Sequence, residues 1–567
     1  MNLETREVTR LTDGVYDNFN PVELPDGARV FLSTRRGGYA RCNQSWEPIT
    51  AATLHRRHPD GKIETLSWHE TNEWNPYVLS NGQIVYSRWD YVDRSASRYH
   101  GLWLTNPDGT GASILFGNYT EDICACMQPV EIPHSNKIMF LAAAHHLGIG
   151  GSLVILDPSK VKYDPATGFD TFDCLERITP EVPFPETNLP GEAAEYYIPQ
   201  QYYYGPYPLS EDFYLVSYSH EMQGGYLPTH GTLSKETVIS GKLGLYYRDR
   251  FGNLELMYED DEASCRYPLL LQEREVPPVL SSRVSEENGD VGTFTLFDVY
   301  ESLWPFPANR KIKELRVFQI LPKTPGHAGH VPQVGHDFAG NARMYLGSVP
   351  VEEDGSASFT APAKKPLYFQ AIDEEGKAVQ TMLSEVYLQP GENRGCVGCH
   401  EQAQTTFPNT EGNQVAAALR KPSELKPGPE GTRPFSYPLL IQPILDRSCV
   451  SCHDGSEGKA KPALTGGEQN PFSVSYVSLK PYLRWYEWLT ATIRRTVSLP
   501  GECGTDSSPL TAILEDAHHK DKMNLSDEDR RVLYFWIDAN VPFYGSYDPN
   551  EQQKQLRGEK IAEPALQ

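Results

Sequence analysis

The chain has 567 residues, which at roughly 150 residues per domain allows three or four domains with large cores. Its 75 acidic and 51 basic side chains give a formal net charge of −24. This charge argues against nucleic acid or an anionic membrane as the main partner, because phosphate surfaces attract basic patches, and it favours a basic protein. The 45 glycines, 45 prolines and 32 tyrosines indicate a turn-rich, mainly β fold.

Four segments of the first half share a proline, an apolar residue three positions later and another nine positions later. Their prolines are Pro21, Pro76, Pro129 and Pro206. A strand, a polar turn and a second strand that recur in this way are typical of β-propeller blades, because one small sheet cannot bury its faces alone. We therefore expect a TolB-like or WD-like propeller of five or six blades over residues 1–280.

An uncharged stretch over residues 138–156 has about the length that a bilayer requires. His145, His146 and three glycines interrupt it. This pattern predicts two buried strands joined by a turn, and no transmembrane segment.

A second β module is predicted over residues 281–390, where the hydrophobic pattern changes. Asp354-Gly355 and Glu375-Gly376 are turn signals between alternating strands. The pattern is typical of a small sandwich, which we interpret as an immunoglobulin-like module.

The sharpest signal is a pair of Cys-x-x-Cys-His sequences. They comprise Cys396, Cys399 and His400, then Cys449, Cys452 and His453. Two thiols at this spacing can form thioethers to the vinyl groups of one haem, while the next histidine reaches the iron. A zinc ribbon would need only about 15 to 20 residues between its cysteine pairs. The sequence therefore predicts two covalently bound c-type haems.

Residues 391–567 are predicted to be an α-helical, di-haem cytochrome c region. An apolar run from Tyr437 to Leu445 leads into Cys449, and Ser526 with Asp529 is a capping-box start for a final helix. Leu533 and Trp536 give that helix a buried face.

Three residues could be the sixth ligand of the second haem: His518, His519 and Met523. On a helix starting at Ser508, His518 falls beside Leu514 while His519 points nearly opposite, which favours His518. Met523 competes, because a methionine shortly before the last helix is a common ligand in small cytochromes c. For the first haem the candidates are Met382, His336 and the pair His145 and His146, or an open position.

The expected location is the periplasm, since bacteria attach haem covalently outside the cytoplasm. The first residues, MNLETREVTRLTDG, lack an apolar signal core. We therefore expect a signal peptide that was removed or trimmed.

Several stretches together resemble the hydrazine synthase alpha subunit family. They are the propeller repeats, DRFGNLELMYEDDEASCRYPLLL, the run GSVPVEEDGSASFTAPAKKPLYFQAIDEEGKAVQTM leading into LQPGENRGCVGCHE, and IQPILDRSCVSCHDG with HHKDKMNLSDEDRRVLYFWID. The resemblance implies a periplasmic di-haem protein in which the first haem is catalytic and the second, bis-histidine haem moves electrons.

The resemblance also carries a ligand set for the first haem. In that family a tyrosinate four residues after the motif histidine binds iron, and the motif histidine and a propeller cysteine bind zinc. Here Gln404 stands four residues after His400, so the tyrosinate is absent and His400 most simply ligates iron. Cys265 matches the propeller cysteine, which implies zinc near the first haem.

These observations give two functional hypotheses. The first is a haem-dependent oxidoreductase whose first haem binds a small, nitrogen-containing substrate and whose second haem relays electrons. The alternative is a non-catalytic electron-transfer or docking protein with two six-coordinate haems. A small redox protein or sister subunits would be the electron partner.

Overall fold

A computed structural model of the chain describes residues 5–42, 47–120, 122–145, 150–166, 168–184, 202–220, 242–399, 405–406, 415–428, 431–486 and 497–566. Most regular structure in these ranges is β-strand, and α-helices occur only in the last third. In the described ranges, no helix combines the length and apolarity needed to cross a membrane.

In its described residues, the N-terminal module, residues 5–258, contains four antiparallel sheets of four strands each, of which the last three join into one twelve-stranded sheet. The first comprises β1 (Asn18–Glu23), β2 (Arg29–Ser33), β3 (Thr53–Arg57) and β4 (Ile63–Thr65). The second comprises β5 (Glu73–Val78), β6 (Ile84–Trp89), β7 (His100–Thr105) and β8 (Ser113–Phe116).

The third sheet comprises β9 (Ala125–Glu131), β10 (Ile138–Ala143), β11 (Gly151–Leu156) and, after a small hairpin of β12 (Tyr163–Asp164) and β13 (Phe169–Asp170), β14 (Leu175–Arg177). The fourth comprises β15 (Tyr202–Pro208), β16 (Phe213–Ser219), β17 (Gly244–Asp249) and β18 (Leu254–Tyr258). Single bridges, His100 to Ala125 and Gly151 to Tyr203, connect the last three sheets. A closed propeller of five or six blades stays a prediction.

The repeated proline marks a repeated β-bulge. The residue before each proline has a positive φ: 48° at Asn20, 52° at Asn75, 54° at Gln128 and 56° at Gly205. At each site the strand register shifts by one residue against its hairpin partner. Asparagine and glycine tolerate the left-handed conformation, and a proline needs no ladder hydrogen bond, so the sequence suits this geometry. The predicted hairpins are confirmed.

The uncharged stretch forms β10 and β11, which pair antiparallel from Ile138 with Leu156 to Ala143 with Gly151. Every side chain of both strands is buried. The prediction of two buried strands is confirmed, and the length of the stretch reflects a hairpin inside a sheet.

Two sheets that pack face to face form the sandwich. Its strands are β19 (Val291–Leu296), β20 (Ile312–Ile320), β21 (Arg343–Pro350), β22 (Ala357–Pro362), β23 (Leu367–Asp373), β24 (Ala378–Thr381), β25 (Asn393–Cys396) and β26 (Arg433–Pro434). The sheet orders are β22-β19-β25 and β24-β23-β20-β21-β26. The ring of Phe369 lies 5.0 Å from that of Phe294 and 5.7 Å from that of Phe359 across the two sheets. The sandwich thus extends past residue 390.

The helical region follows the sandwich. Its elements are α1 (Tyr437–Leu440), α2 (Gln442–Ser448), β27 (Glu468–Gln469), β28 (Phe472–Ser473), α3 (Val474–Leu479), α4 (Gly504–Ser507), α5 (Pro509–Glu515), α6 (Ala517–Lys520), α7 (Asp527–Asp538) and α8 (Pro549–Leu556). The Ser526 hydroxyl accepts a hydrogen bond from the Asp529 amide at 3.0 Å, which caps α7. Trp536 and Tyr437 belong to the same buried cluster as Phe294 and Val317, so the helices and the sandwich share one core.

Candidate functional site

The first cysteine pair lies at the end of a sandwich strand. Cys396 is the last residue of β25, which runs parallel to β19 and pairs Cys396 with Leu296. The Cys399 amide donates to the Glu301 carbonyl at 2.9 Å. A Cβ on Gly398 would lie 1.9 Å from that carbonyl oxygen, so only glycine fits at position 398. His400 lies outside the described residues.

Both thiols of this pair line a cavity of about 400 Å³ between the N-terminal module and the sandwich. Its apolar walls include Trp103 and Phe116 from the N-terminal module and Phe294, Phe359 and Phe369 from the sandwich, and Val497 also lines it. A largely apolar cavity with a few polar groups is typical of a cofactor site. Two thiols beside aromatic walls suit a covalently attached, flat, apolar cofactor, and haem fits this donor set.

Three charged side chains also line this cavity: Arg94, Asp170 and Arg394. The Arg94 guanidinium donates to the Asp90 carboxylate at 3.3 Å and stacks 4.0 Å above the Tyr99 ring. Arg394 donates to the Ala112 carbonyl. Sequence reasoning missed all three. The two-residue spacing of Arg394 and Cys396 places them on one face of a strand and could have revealed Arg394.

The second cysteine pair follows a helix. Cys449 is the C-cap of α2, and its amide donates to the Leu445 carbonyl at 2.8 Å. The amides of Cys452 and His453 then donate to the Cys449 carbonyl at 3.1 and 3.0 Å, which closes a compact turn. Burial raises the pKa of the Cys449 thiol to about 11, whereas Cys452 is exposed. Cys396, Cys399 and Cys449 all pack against the shared core.

The ring of His453 has a defined orientation. Its Nδ1 lies 2.9 Å from the Pro462 carbonyl oxygen. A carbonyl only accepts hydrogen bonds, so Nδ1 carries the proton and Nε2 keeps its lone pair. Histidine ligands to metals are commonly fixed by such a bond from the opposite ring nitrogen. The donor chemistry of the Cys449, Cys452 and His453 set therefore fits a haem.

The candidate sixth ligands of the predicted second haem lie in different environments. The single helix predicted from Ser508 is wrong, because Asp516 adopts an extended conformation (φ −63°, ψ 139°) that separates α5 from α6. His518 and Leu514 therefore lie on different helices, and the helix-face argument that favours His518 is lost. His518 is exposed and its Nε2 lies 3.1 Å from the Lys522 amine.

The other two candidate sixth ligands, His519 and Met523, are less exposed than His518. His519 is half-buried, with Nδ1 3.8 Å from an Asp516 carboxylate oxygen. Met523 is partly buried and packs against the shared core that also contacts Cys449 and Val450.

The candidate ligands of the predicted first haem also lie in different parts of the molecule. Met382 lines the cavity beside the first cysteine pair. His336 instead stacks 4.0 Å from the Tyr476 ring, and burial lowers its pKa to about 3. His145 lies in the N-terminal module, 3.2 Å from the ring of His100, and His146 lies outside the described residues.

Cys265 is half-buried and lies just after the N-terminal module, where its amide donates to the Leu243 carbonyl at 2.7 Å. It does not belong to the described lining of the cavity. Within the described ranges no cluster of three or more histidine, cysteine, aspartate or glutamate side chains could hold a metal ion. The zinc site that would join Cys265 to His400 stays a prediction.

Comparisons with known proteins agree with this architecture. A family model described as the hydrazine synthase alpha subunit middle domain matches residues 310–401. Hydrazine synthase subunit alpha of Kuenenia stuttgartiensis is 21% identical over 624 residues, which cover 86% of this chain and 70% of that protein. The solved structure of Kuenenia stuttgartiensis hydrazine synthase matches with a TM-score of 0.71 at 16% identity, over 96% of this chain and 84% of that chain.

The fold and the site define a multidomain, mainly β protein with a cysteine-lined cavity between its N-terminal module and its sandwich. The middle-domain match includes Cys396 and Cys399, and the other two matches extend over most of the chain. The resemblance to the hydrazine synthase alpha subunit is thus supported: its middle-domain model matches residues 310–401, and the chain is similar to that subunit over most of its length.

Proposed function

We propose that this protein is a periplasmic di-haem c-type oxidoreductase. The first haem binds a small, nitrogen-containing substrate and the second haem relays electrons. The observation that carries this proposal is the cavity of about 400 Å³ beside Cys396 and Cys399. The similarity to the hydrazine synthase alpha subunit supports a function related to that of this subunit.

The two motifs supply the attachment residues. Cys396 and Cys399 would hold the first haem and Cys449 and Cys452 the second. When bound, haem supplies one-electron chemistry and a ligand position at iron. The chain orients His453 through the Pro462 carbonyl, and aromatic walls give the first site a largely apolar lining.

The second haem takes Met523 as its sixth ligand in this proposal. Met523 packs against the same core as Cys449, while His518 is exposed and His519 lies near Asp516. This differs from the bis-histidine ligation that the family resemblance implies. A thioether ligand would raise the reduction potential of this haem relative to two histidines.

A second candidate function is electron transfer or docking without catalysis. Met382 favours it, because this side chain lines the first cavity and its thioether sulfur could complete the coordination of the first haem. Both haems would then be six-coordinate, with no position left for a substrate.

The partner in this proposal is basic, either a small redox protein or sister subunits. The net charge of −24 would attract such a partner over a long range.

Two measurements test the proposal. Production with haem-maturation factors, followed by mass spectrometry, should show two covalently attached haems, and Cys396→Ala with Cys399→Ala should leave one. Carbon monoxide should then change the spectrum of the reduced wild-type protein and leave that of the double variant unchanged. A protein with both haems and no carbon monoxide response would contradict the catalytic function and support the electron-transfer alternative.

A further inference from the structure

Asp170 is a carboxyl group at the first cavity with no role in haem attachment. It is the last residue of β13, in the small hairpin that connects β11 to β14 of the third sheet. Its side chain lines the cavity together with Cys396 and Cys399. The hairpin thus brings an ionisable group from the N-terminal module to the attachment cysteines of the sandwich.

The two carboxylate oxygens of Asp170 differ in their contacts. Oδ2 accepts hydrogen bonds from the Thr120 hydroxyl at 2.9 Å and from the Tyr119 amide at 3.3 Å. Within the described residues, Oδ1 accepts no hydrogen bond and no lysine, arginine or histidine forms an ion pair with this carboxylate. The bonds hold the group in place and leave one oxygen available to a molecule in the cavity.

The surroundings of Asp170 disfavour its charged form. The Cys126 and Cys174 thiols interact electrostatically with it. Two phenols and two guanidinium groups line the same cavity: Tyr119, Tyr163, Arg94 and Arg394. Burial raises the pKa of Asp170 to about 6, against the lowering effect of its bonds from Thr120 and Tyr119. A carboxyl with this pKa exchanges its proton near neutral pH, as a general acid or base does.

We propose that Asp170 accepts a proton from a small ligand that must lose one when it binds in the first cavity, and later returns it. The inference rests on the proposed function, because it needs haem at Cys396 and Cys399. The fitting substrates are small hydrogen-bearing nitrogen compounds. In this step the bond between hydrogen and the ligand would break, an O–H bond would form at Oδ1, and the electron pair would remain on the ligand.

Hydrogen cyanide is a suitable probe, because it loses its proton when cyanide binds ferric haem. In the wild-type holoprotein the rate of cyanide binding to the first haem should fall as pH drops below about 6, where Asp170 is protonated. Asp170→Asn should slow binding by about 100-fold at pH 7 and remove this pH step. Asp173→Asn, an exposed neighbour outside the cavity lining, should behave as wild type.

Thr120→Val provides a second variant that keeps the carboxyl. It removes the hydroxyl bond that lowers the pKa of Asp170, so the pH step should move to higher pH with haem still attached. Infrared spectra of the carboxylic C=O stretch should show the same shift, and the titrating band should be missing in Asp170→Asn. Unchanged cyanide kinetics in Asp170→Asn, with both haems attached, would overturn this inference alone. Absence of haem from Cys396 and Cys399 would overturn the proposed function and this inference together.

Discussion

Asp93 and Arg343 form a buried ion pair that connects the N-terminal module to the sandwich. The guanidinium donates two bonds to the carboxylate, at 3.0 and 2.7 Å. The Asn341 and Asn540 amides also donate to this carboxylate, at 3.2 and 3.1 Å. One carboxylate therefore holds together the N-terminal module, the sandwich and the end of helix α7.

Replacing Asp93 by asparagine should lower the free energy of unfolding by about 3 to 5 kcal/mol, because a buried Arg343 would lose its compensating charge. Asparagine has a similar shape and tolerates the φ of 54° at this position, so backbone strain adds little. Urea denaturation measures the effect. The exposed pair of Lys311 and Glu353 is the control, and Glu353→Gln should leave the transition unchanged. An equal effect of both variants would contradict the role given to the buried pair.

Substitutions at Asn75 test the repeated bulge. Asn75 has a φ of 52°, so Asn75→Gly should fold normally while Asn75→Val should lose about 1 to 2 kcal/mol of stability, because a branched Cβ is strained in this conformation. Thermal denaturation distinguishes the two. As a control, Thr53→Val, on strand β3 where φ is not positive, should not show this penalty. An equal loss of stability in Asn75→Gly would show that the side-chain amide of Asn75, and not its backbone conformation, stabilises the protein.

The pH dependence of stability should contain a contribution from Asp538. Burial raises its pKa to about 6 from 3.8, and it accepts bonds from the Ala378 and Thr505 amides, each at 2.8 Å. The folded state therefore binds a proton more tightly than the unfolded chain. This contribution to stability is complete below pH 4 and decreases by about 3 kcal/mol as pH rises to 6.

Denaturation of Asp538→Asn between pH 4 and pH 7 measures this contribution. As pH rises, the unfolding free energy of the wild type should decrease relative to that of Asp538→Asn. The exposed Asp521→Asn variant should follow the wild type throughout. Parallel pH profiles of wild type and Asp538→Asn would contradict the raised pKa.

Ligand substitutions test the coordination of the proposed second haem. Met523→Ala should abolish the weak near-infrared band that sulfur ligation gives an oxidised cytochrome c, and should lower the reduction potential of that haem. His518→Ala should change neither property. If His518→Ala alone alters the spectrum, the bis-histidine ligation implied by the family resemblance applies here too.

Electron transfer to this acidic protein should slow with added salt. The net charge of −24 attracts a basic donor at low ionic strength, and at 0.1 M salt the screening length is only about 10 Å. Stopped-flow reduction by a basic cytochrome should therefore slow as salt rises, whereas a neutral small-molecule reductant should show little change. The same salt dependence for both reductants would argue against an acidic docking surface.

Local patterns predicted much of the fold. The repeated prolines located the four hairpins, because a bulge and a polar turn are encoded within a few residues. The two Cys-x-x-Cys-His sequences predict the haem-attachment residues, since their spacing is itself the chemical requirement. Ser526 likewise marked the start of α7.

Long-range packing was not predictable in the same way. Asp170 reaches the first cavity through a two-stranded hairpin far from Cys396 in sequence, and no motif marks it. The break at Asp516 was missed because apolar periodicity continues across it, while its side chain caps the next turn through the His518 amide at 2.9 Å. The sandwich and the helical region share one core. Local sequence patterns do not show this shared packing, and they place a domain boundary at residue 390.

The walls of the first cavity constrain the order in which the protein can mature. Its lining combines residues near 94–170, 294–405 and 497, so the space exists only once distant parts of the chain have come together. A bulky cofactor bonded to Cys396 and Cys399 would have to be attached while this part of the chain is still open. The maturation machinery would then act on an extended polypeptide, and the attached cofactor would be buried when the three regions come together.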